Sequence, residues 1–179
     1  VSVCIPESVT SIAAYAFYDN RNLKSLNIPE ELVSIGDRAF YGCEKIVSLT
    51  IPRNVISIGK YAFLFCHNLS RIIVDSDNSV YDSREDCNAI IETGSNTLIL
   101  GCSVTDIPES VTSIGDYAFY KNENLTHITI PKGIISIGQY AFYECSNLVN
   151  ITISEGLVSI AKDAFRYCSS LQRIINNSG

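Results

Sequence analysis

Seven cysteines, two histidines and a run of carboxylates are the residues of this 179-residue chain with chemistry to offer. A metal centre needs such residues at ligand spacing, and a nucleophile needs a base within reach. Four of the cysteines, Cys43, Cys66, Cys145 and Cys168, share one slot of a repeating pattern, and Asn20 and Asn122 fill that slot in other copies. Both residue types are small and can donate toward backbone carbonyls, so the slot reads as a buried turn with a row of thiols. Disulfides between neighbouring copies, Cys43–Cys66 and Cys145–Cys168, fit the separation but require Cβ vectors that converge, whereas equivalent positions run parallel. Cys87 and Cys102 flank the hairpin predicted within a divergent segment, and a bond across it is open. Cys4 is left over, and an odd count argues against a complete disulfide framework. No CxxC occurs.

The carboxylates gather in one Ser-containing stretch: Asp75, Asp77, Asp82, Glu85 and Asp86. Asp75-x-Asp77-x-Ser79 has the outline of a calcium loop. Val80 stands where such a loop needs glycine, and the flanks are not helical, so the stretch reads as a solvated loop. His67 and His127 occupy different slots with no partner at a recognisable spacing, and no glycine-rich phosphate loop opens a helix. The expectation is a non-catalytic protein with no cofactor and no metal site.

A repeat positions these residues. Ile5-Pro6, Ile28-Pro29 and Ile51-Pro52 stand 23 residues apart, as do Ile107-Pro108, Ile130-Pro131 and Ile153-Ser154. A fixed period of this size indicates a solenoid. The copies begin at Ile5, Ile28, Ile51, Ile107, Ile130 and Ile153, and Val74 to Asp106 is a divergent copy ten residues longer than the rest. Val1 to Cys4 reads as the last strand of a preceding copy. Leu26 and Ile28 are two apart, as are Leu49 and Ile51, which is strand periodicity. Val9 and Ile12, with their counterparts, predict a second short extended run. The Ala-Phe pairs from Ala16-Phe17 to Ala164-Phe165 predict one helical turn per repeat, its Phe entering the core. Proline ends the first strand, and Gly36, Gly59, Gly115 and Gly138 mark a tight bend that tolerates positive φ. In the divergent copy, 88–91 and 97–100 predict a hairpin. No copy can bury its own apolar face, so stacking must do it.

The stretch Ile107 to Pro131, IPESVTSIGDYAFYKNENLTHITIP, resembles the BspA-like leucine-rich repeat family, and the resemblance extends over nearly the whole chain. It implies an α/β-type solenoid, a right-handed leucine-rich-repeat stack forming a single domain over 1–179. Regular repeats would span 5–73 and 107–175, with the divergent repeat at 74–106. It also implies a surface or secreted protein of a host-associated microbe that adheres to host or cell-surface proteins.

Net charge is −6 with no Lys/Arg cluster, which excludes the electrostatics of nucleic-acid binding. No apolar run is long enough to span a membrane. No signal peptide is visible, and because the chain starts within a strand that absence says little about location. The end at Gly179 shows no polar capping repeat, which predicts exposed apolar ends or end-to-end self-association. Specificity would rest on outward strand positions: Ser25, Asn27, Ser48, Thr50, Arg71, Ile73, His127, Thr129, Asn150, Thr152, Arg173 and Ile175. Arg71, His127 and Arg173 are the larger anchors, with Asn150 and Ser48 beside them; equally, Ser and Thr suit any exposed strand. Tyr15, Tyr61, Tyr117 and Tyr140 predict an aromatic row at the core edge. Asn68, Asn124, Asn150 and Asn176 begin glycosylation sequons, the first three of which duplication explains. Binding of host matrix or cell-surface proteins is the first functional expectation, an intracellular or periplasmic interaction scaffold the second, and polysaccharide binding a remote third.

Overall fold

The computed structural model describes residues 1–176. The end of the sequon that begins at Asn176, and the chain end at Gly179, lie outside the described residues. The strands in chain order are β1 (Ser2–Cys4), β2 (Ser11–Ile12), β3 (Ser25–Asn27), β4 (Ser34–Ile35), β5 (Ser48–Ile51), β6 (Ser57–Ile58), β7 (Arg71–Val74) and β8 (Tyr81–Asp82). They continue with β9 (Ala89–Glu92), β10 (Thr97–Gly101), β11 (Ser113–Ile114), β12 (His127–Ile130), β13 (Ser136–Ile137), β14 (Asn150–Ile153), β15 (Ser159–Ile160) and β16 (Arg173–Asn176).

Each regular copy supplies one longer strand and one Ser-Ile strand, and equivalent residues pair in parallel. Ser48 lies opposite Arg71, and His127 opposite Asn150, which lies opposite Arg173. Inward Leu49, Ile51, Ile128 and Ile130 are buried, while Ser48, Thr50, His127 and Thr129 face out. This alternation is the pleat at work. The longer strands end before Pro52 and Pro131, which lack the next ladder donor.

The Ala-Phe segment forms no helix. Its N–H groups alternate in direction, which a helix cannot do. Tyr15, Phe17 and Asp19 donate to Asp37, Ala39 and Tyr41 of the next copy, while Ala16, Tyr18 and Asn20 close local turns onto Ala13, Tyr15 and Phe17. Alternation requires left-handed residues between right-handed ones. Tyr15, Arg38, Tyr61, Tyr117 and Tyr140 have φ between 51° and 61°, and Phe65, Lys121, Glu144 and Tyr167 between 53° and 65°. Side chains resist this region at roughly 1–2 kcal/mol each, and the bonds between copies hold them there. The fold is therefore a β-solenoid with a third, turn-built face in place of the expected helical turn. Among the described residues a single 3-10 turn, Arg84–Asp86, stands apart from it.

Gly36, Gly59 and Gly138 are needed for proximity and not for φ, since none is among the positive-φ glycines. A Cβ at Gly59 would lie 2.4 Å from the Asp37 backbone nitrogen.

The divergent copy departs from parallel stacking. β9 pairs antiparallel with both β8 and β10, and β10 then accepts β11 in parallel. This confirms the hairpin and adds β8 to it. The insertion divides the apolar core into one cluster from Ile5 to Cys102 and another from Cys87 to Ala164. It also interrupts the sheet of longer strands: β5–β7 forms one piece and β12–β14–β16 another. At the cut edge, Ile72 N–H donates to Asn88 Oδ1 at 3.4 Å and Val74 N–H to Ser83 Oγ at 3.0 Å. Side chains thus occupy donors that would otherwise invite edge pairing.

All seven cysteines are free thiols. The thiols of Cys43, Cys66, Cys145 and Cys168 donate to the carbonyls of Phe17, Phe40, Phe119 and Phe142 at 3.1–3.4 Å. This is the row of thiols the slot predicted. Cys102 Sγ donates to Asn88 O, so the Cys87–Cys102 bond left open by the sequence is absent.

Candidate functional site

The outward row of the longer strands is the surface whose side chains are least committed to the fold. Ser48, Arg71, His127 and Arg173 are exposed and Asn150 is half-buried. Register sets His127, Asn150 and Arg173 side by side across three neighbouring strands, and Ser48 beside Arg71 across two. The insertion stands between the pairs, so the five residues form two patches and not one continuous row. Among the described residues, neither Arg71 nor Arg173 makes a salt bridge. His127 Nδ1 lies 3.0 Å from Thr126 Oγ1, a local contact that orients the ring. The strands of this row, β1, β3, β5, β7, β12, β14 and β16, contain no Asp or Glu, in a chain whose net charge is −6.

The turn face is aromatic. Tyr18 stacks on Tyr41 at 4.8 Å and Tyr120 on Tyr143 at 5.1 Å, and Tyr117 lies 5.1 Å from Tyr140. Arg38 takes the place of a tyrosine, donating to Tyr15 OH at 2.9 Å with its guanidinium 5.0 Å from the Tyr61 ring centroid. Burial first, and the neighbouring Tyr61 hydroxyl second, pushes the Tyr117 phenol up to about 12. These rings spend much of their surface on one another, which supports the core-edge reading of the tyrosine row.

Two of the sequon asparagines have structural partners. Asn68 Nδ2 donates to Glu44 O at 2.7 Å and Asn124 Nδ2 to His67 O at 3.1 Å. Asp75 Oδ1 accepts from Asp77 N–H at 2.9 Å, which makes the acidic stretch a turn. The strongest ion pair there is Arg84 with Asp82, at 2.6 Å. Among the described residues no three His, Cys, Asp or Glu gather to hold a metal ion, and no helix is long and apolar enough to cross a membrane. The sequence passed over His67 and Asn122. His67 carries a buried ring nitrogen and Asn122 a buried amide oxygen without a partner, and both residues line the cavity beside the insertion.

The sequence matches the BspA type leucine rich repeat region in six copies, over residues 1–93 and 95–179. The chain belongs to the BspA-type leucine-rich repeat family. Among solved structures, this BspA-type chain is similar to a leucine rich cell surface protein from Faecalibacterium prausnitzii, at 26% identity and a TM-score of 0.71, with 99% of this chain and 60% of that one covered. It is also similar in fold to the pneumococcal vaccine antigen PcpA, at 19% identity and a TM-score of 0.70 over 99% of this chain and 57% of that one. A leucine-rich repeat protein from Bacteroides ovatus aligns at 23% identity and a TM-score of 0.52, covering 99% and 55%. No curated protein matches the chain. The BspA-type repeats here thus span about 60% of the length of the first two structures they resemble.

Proposed function

We propose that this chain is the non-catalytic, protein-binding part of a bacterial surface or secreted protein. It engages a host or cell-surface protein through the outward row of its longer strands. The observation that carries the reading is the charge of that row. Arg71 and Arg173 stand on it without carboxylate partners among the described residues, on strands that hold no acid, in an acidic chain. Arginines free of an intramolecular partner keep their full donor fork for an acidic patch, and small Ser, Thr and Asn residues around them leave the backbone ribbon flat enough to be covered. Membership of the BspA-type family, and likeness to a protein described as a cell surface protein, support the location.

The test is capture of matrix and cell-surface proteins by the chain, repeated with Arg71→Ala, His127→Ala and Arg173→Ala combined. Binding should fall at least about tenfold, as expected for the loss of anchors each worth more than about 1 kcal/mol, and it should weaken as salt is raised. Equal capture by the triple variant would remove this face from consideration. A glycan array run in parallel separates protein from polysaccharide recognition.

A further inference from the structure

The turn segments of neighbouring copies are joined by a row of three backbone hydrogen bonds. Arg38, Phe40 and Gly42 of the second copy donate to the carbonyls of Lys60, Ala62 and Leu64 in the third. Beyond the insertion, Tyr117, Phe119 and Lys121 donate to Gln139, Ala141 and Tyr143. The third copy carries the same three donors on Tyr61, Phe63 and Phe65, and by the pattern they belong on Asp116, Ala118 and Tyr120. None of those three bonds forms among the described residues. The Ala118 carbonyl is taken instead by Gly101 N–H, at 2.9 Å, and the Asp116 and Tyr120 carbonyls accept no backbone N–H.

The phenylalanine stack breaks at the same place. Phe17, Phe40 and Phe63 stack at 5.1 and 5.4 Å, and Phe119, Phe142 and Phe165 at 4.9 and 5.0 Å, but Phe63 and Phe119 do not meet. A cavity of about 390 Å³ lies between them. One wall is the donor row of the third copy, the other the turn from Asp116 to Asn122, and the floor is the inserted hairpin. Asn122, 7% exposed, lines it with an Oδ1 that has no partner, and the buried Nδ1 of His67 is likewise unpartnered.

We infer that this slot binds an extended peptide segment bearing an aromatic side chain, which takes the place of the missing turn between the third copy and the copy that begins at Ile107. Carbonyls of such a segment meet the N–H groups of Tyr61, Phe63 and Phe65. Its own N–H groups meet the Tyr120 carbonyl and Asn122 Oδ1, and its ring extends the stack that ends at Phe63. A purely apolar occupant would leave the same groups buried and unsatisfied. None of Arg71, His127 and Arg173 lines the slot, so it is independent of the strand-row reading.

The test uses the whole chain and the capped peptide acetyl-Ala-Phe-Ala-amide, followed by calorimetry and amide NMR. The expected dissociation constant is on the order of 1 mM for so small a ligand, with shifts concentrated at the amides of Tyr61, Phe63 and Phe65. Exchanging the peptide's Phe for Leu should weaken binding roughly three- to tenfold, through loss of ring stacking. Leu100→Phe, which fills the slot from its floor, should abolish binding with an unchanged circular dichroism spectrum. Asn122→Cys places there the residue that four other copies carry, and should weaken binding without unfolding. The combined Arg71→Ala, His127→Ala and Arg173→Ala variant should bind the peptide as the parent does. Absence of peptide binding overturns the inference. So does equal perturbation of the same amides by toluene, which has the ring but no peptide groups, or undiminished binding by Leu100→Phe.

Discussion

Two junctions in this solenoid have the same Tyr-Ala-Phe segment on both sides and different structures between. From Phe119 to Phe142 each turn donor finds the carbonyl of the next copy and the rings stack at 4.9 Å. From Phe63 to Phe119 an inserted hairpin intervenes, the donors find nothing, and a cavity opens. At the outer rim the two copies still touch: Tyr61 lies 5.0 Å from Tyr117 and Phe65 5.4 Å from Tyr120. The comparison teaches that satisfaction of the turn backbone is a property of the pair of copies and not of either copy. The same Tyr-Ala-Phe segment is saturated or unsaturated according to its neighbour.

The largest expected difference between the junctions is in thiol access. Cys4 is exposed and should be blocked by a thiol reagent first. Cys66 and Cys102 line the cavity and should follow. Cys43 and Cys145, in continuous stacks and fully buried, should react roughly a thousandfold or more slower than Cys4, since they await opening of the fold. Equal rates at Cys102 and Cys145, read by mass spectrometry, would mean that the cavity is not a point of entry. Burial pushes the Cys43 and Cys87 thiols up to about 11 and Cys145 up to about 12 from an ordinary value of 9.0. The folded state therefore holds these protons more tightly than the unfolded state. Their contribution to stability is complete below pH 9 and is lost as pH rises through about 11 to 12. A urea midpoint that falls across that window, in steps removed by Cys→Ser at 43 and 145, checks the sign.

Phe142→Ala should cost about 3–5 kcal/mol, because the ring is fully buried between two others. Phe63→Ala, at the cavity wall, should cost less, since part of its surroundings is already unfilled. Equal shifts of the denaturation midpoint would contradict the contrast between the two junctions. Gly59→Ala should destabilise by about 1–3 kcal/mol through backbone collision between copies. Gly94→Ala, in the hairpin loop with no atom within 4 Å, should change stability by less than about 0.5 kcal/mol. The smallest effect is expected on the strand row, where Arg71→Ala and Arg173→Ala should each leave the midpoint unchanged within about 0.5 kcal/mol.

Much of this architecture is legible residue by residue. The alternation in Ser-Leu-Thr-Ile and His-Ile-Thr-Ile gives strand faces directly, and the Cys/Asn slot gives a buried turn with a carbonyl to satisfy. The Ala-Phe segment is misread as helical because Ala and Phe fit a helical turn and tyrosine gives no hint of positive φ. What selects the left-handed conformation at Tyr61 or Tyr117 is a bond to another copy, which has no local signature. The outward residues were legible as exposed, but their division into two patches was not, because it depends on where the hairpin docks. His67 and Asn122 look like ordinary members of their slots, and only the fold places them on either side of the junction that the hairpin interrupts.

The sequence by itself determined the 23-residue period, the stacking of copies and the inward and outward sides of each strand, because side-chain periodicity is local and repeats in every copy. Only the tertiary structure decided that the third face is built from alternating left- and right-handed turns, and that one junction is left with donors, acceptors and a ring face unmatched. Those outcomes depend on hydrogen bonds between copies, and a bond between copies exists only once both are in place.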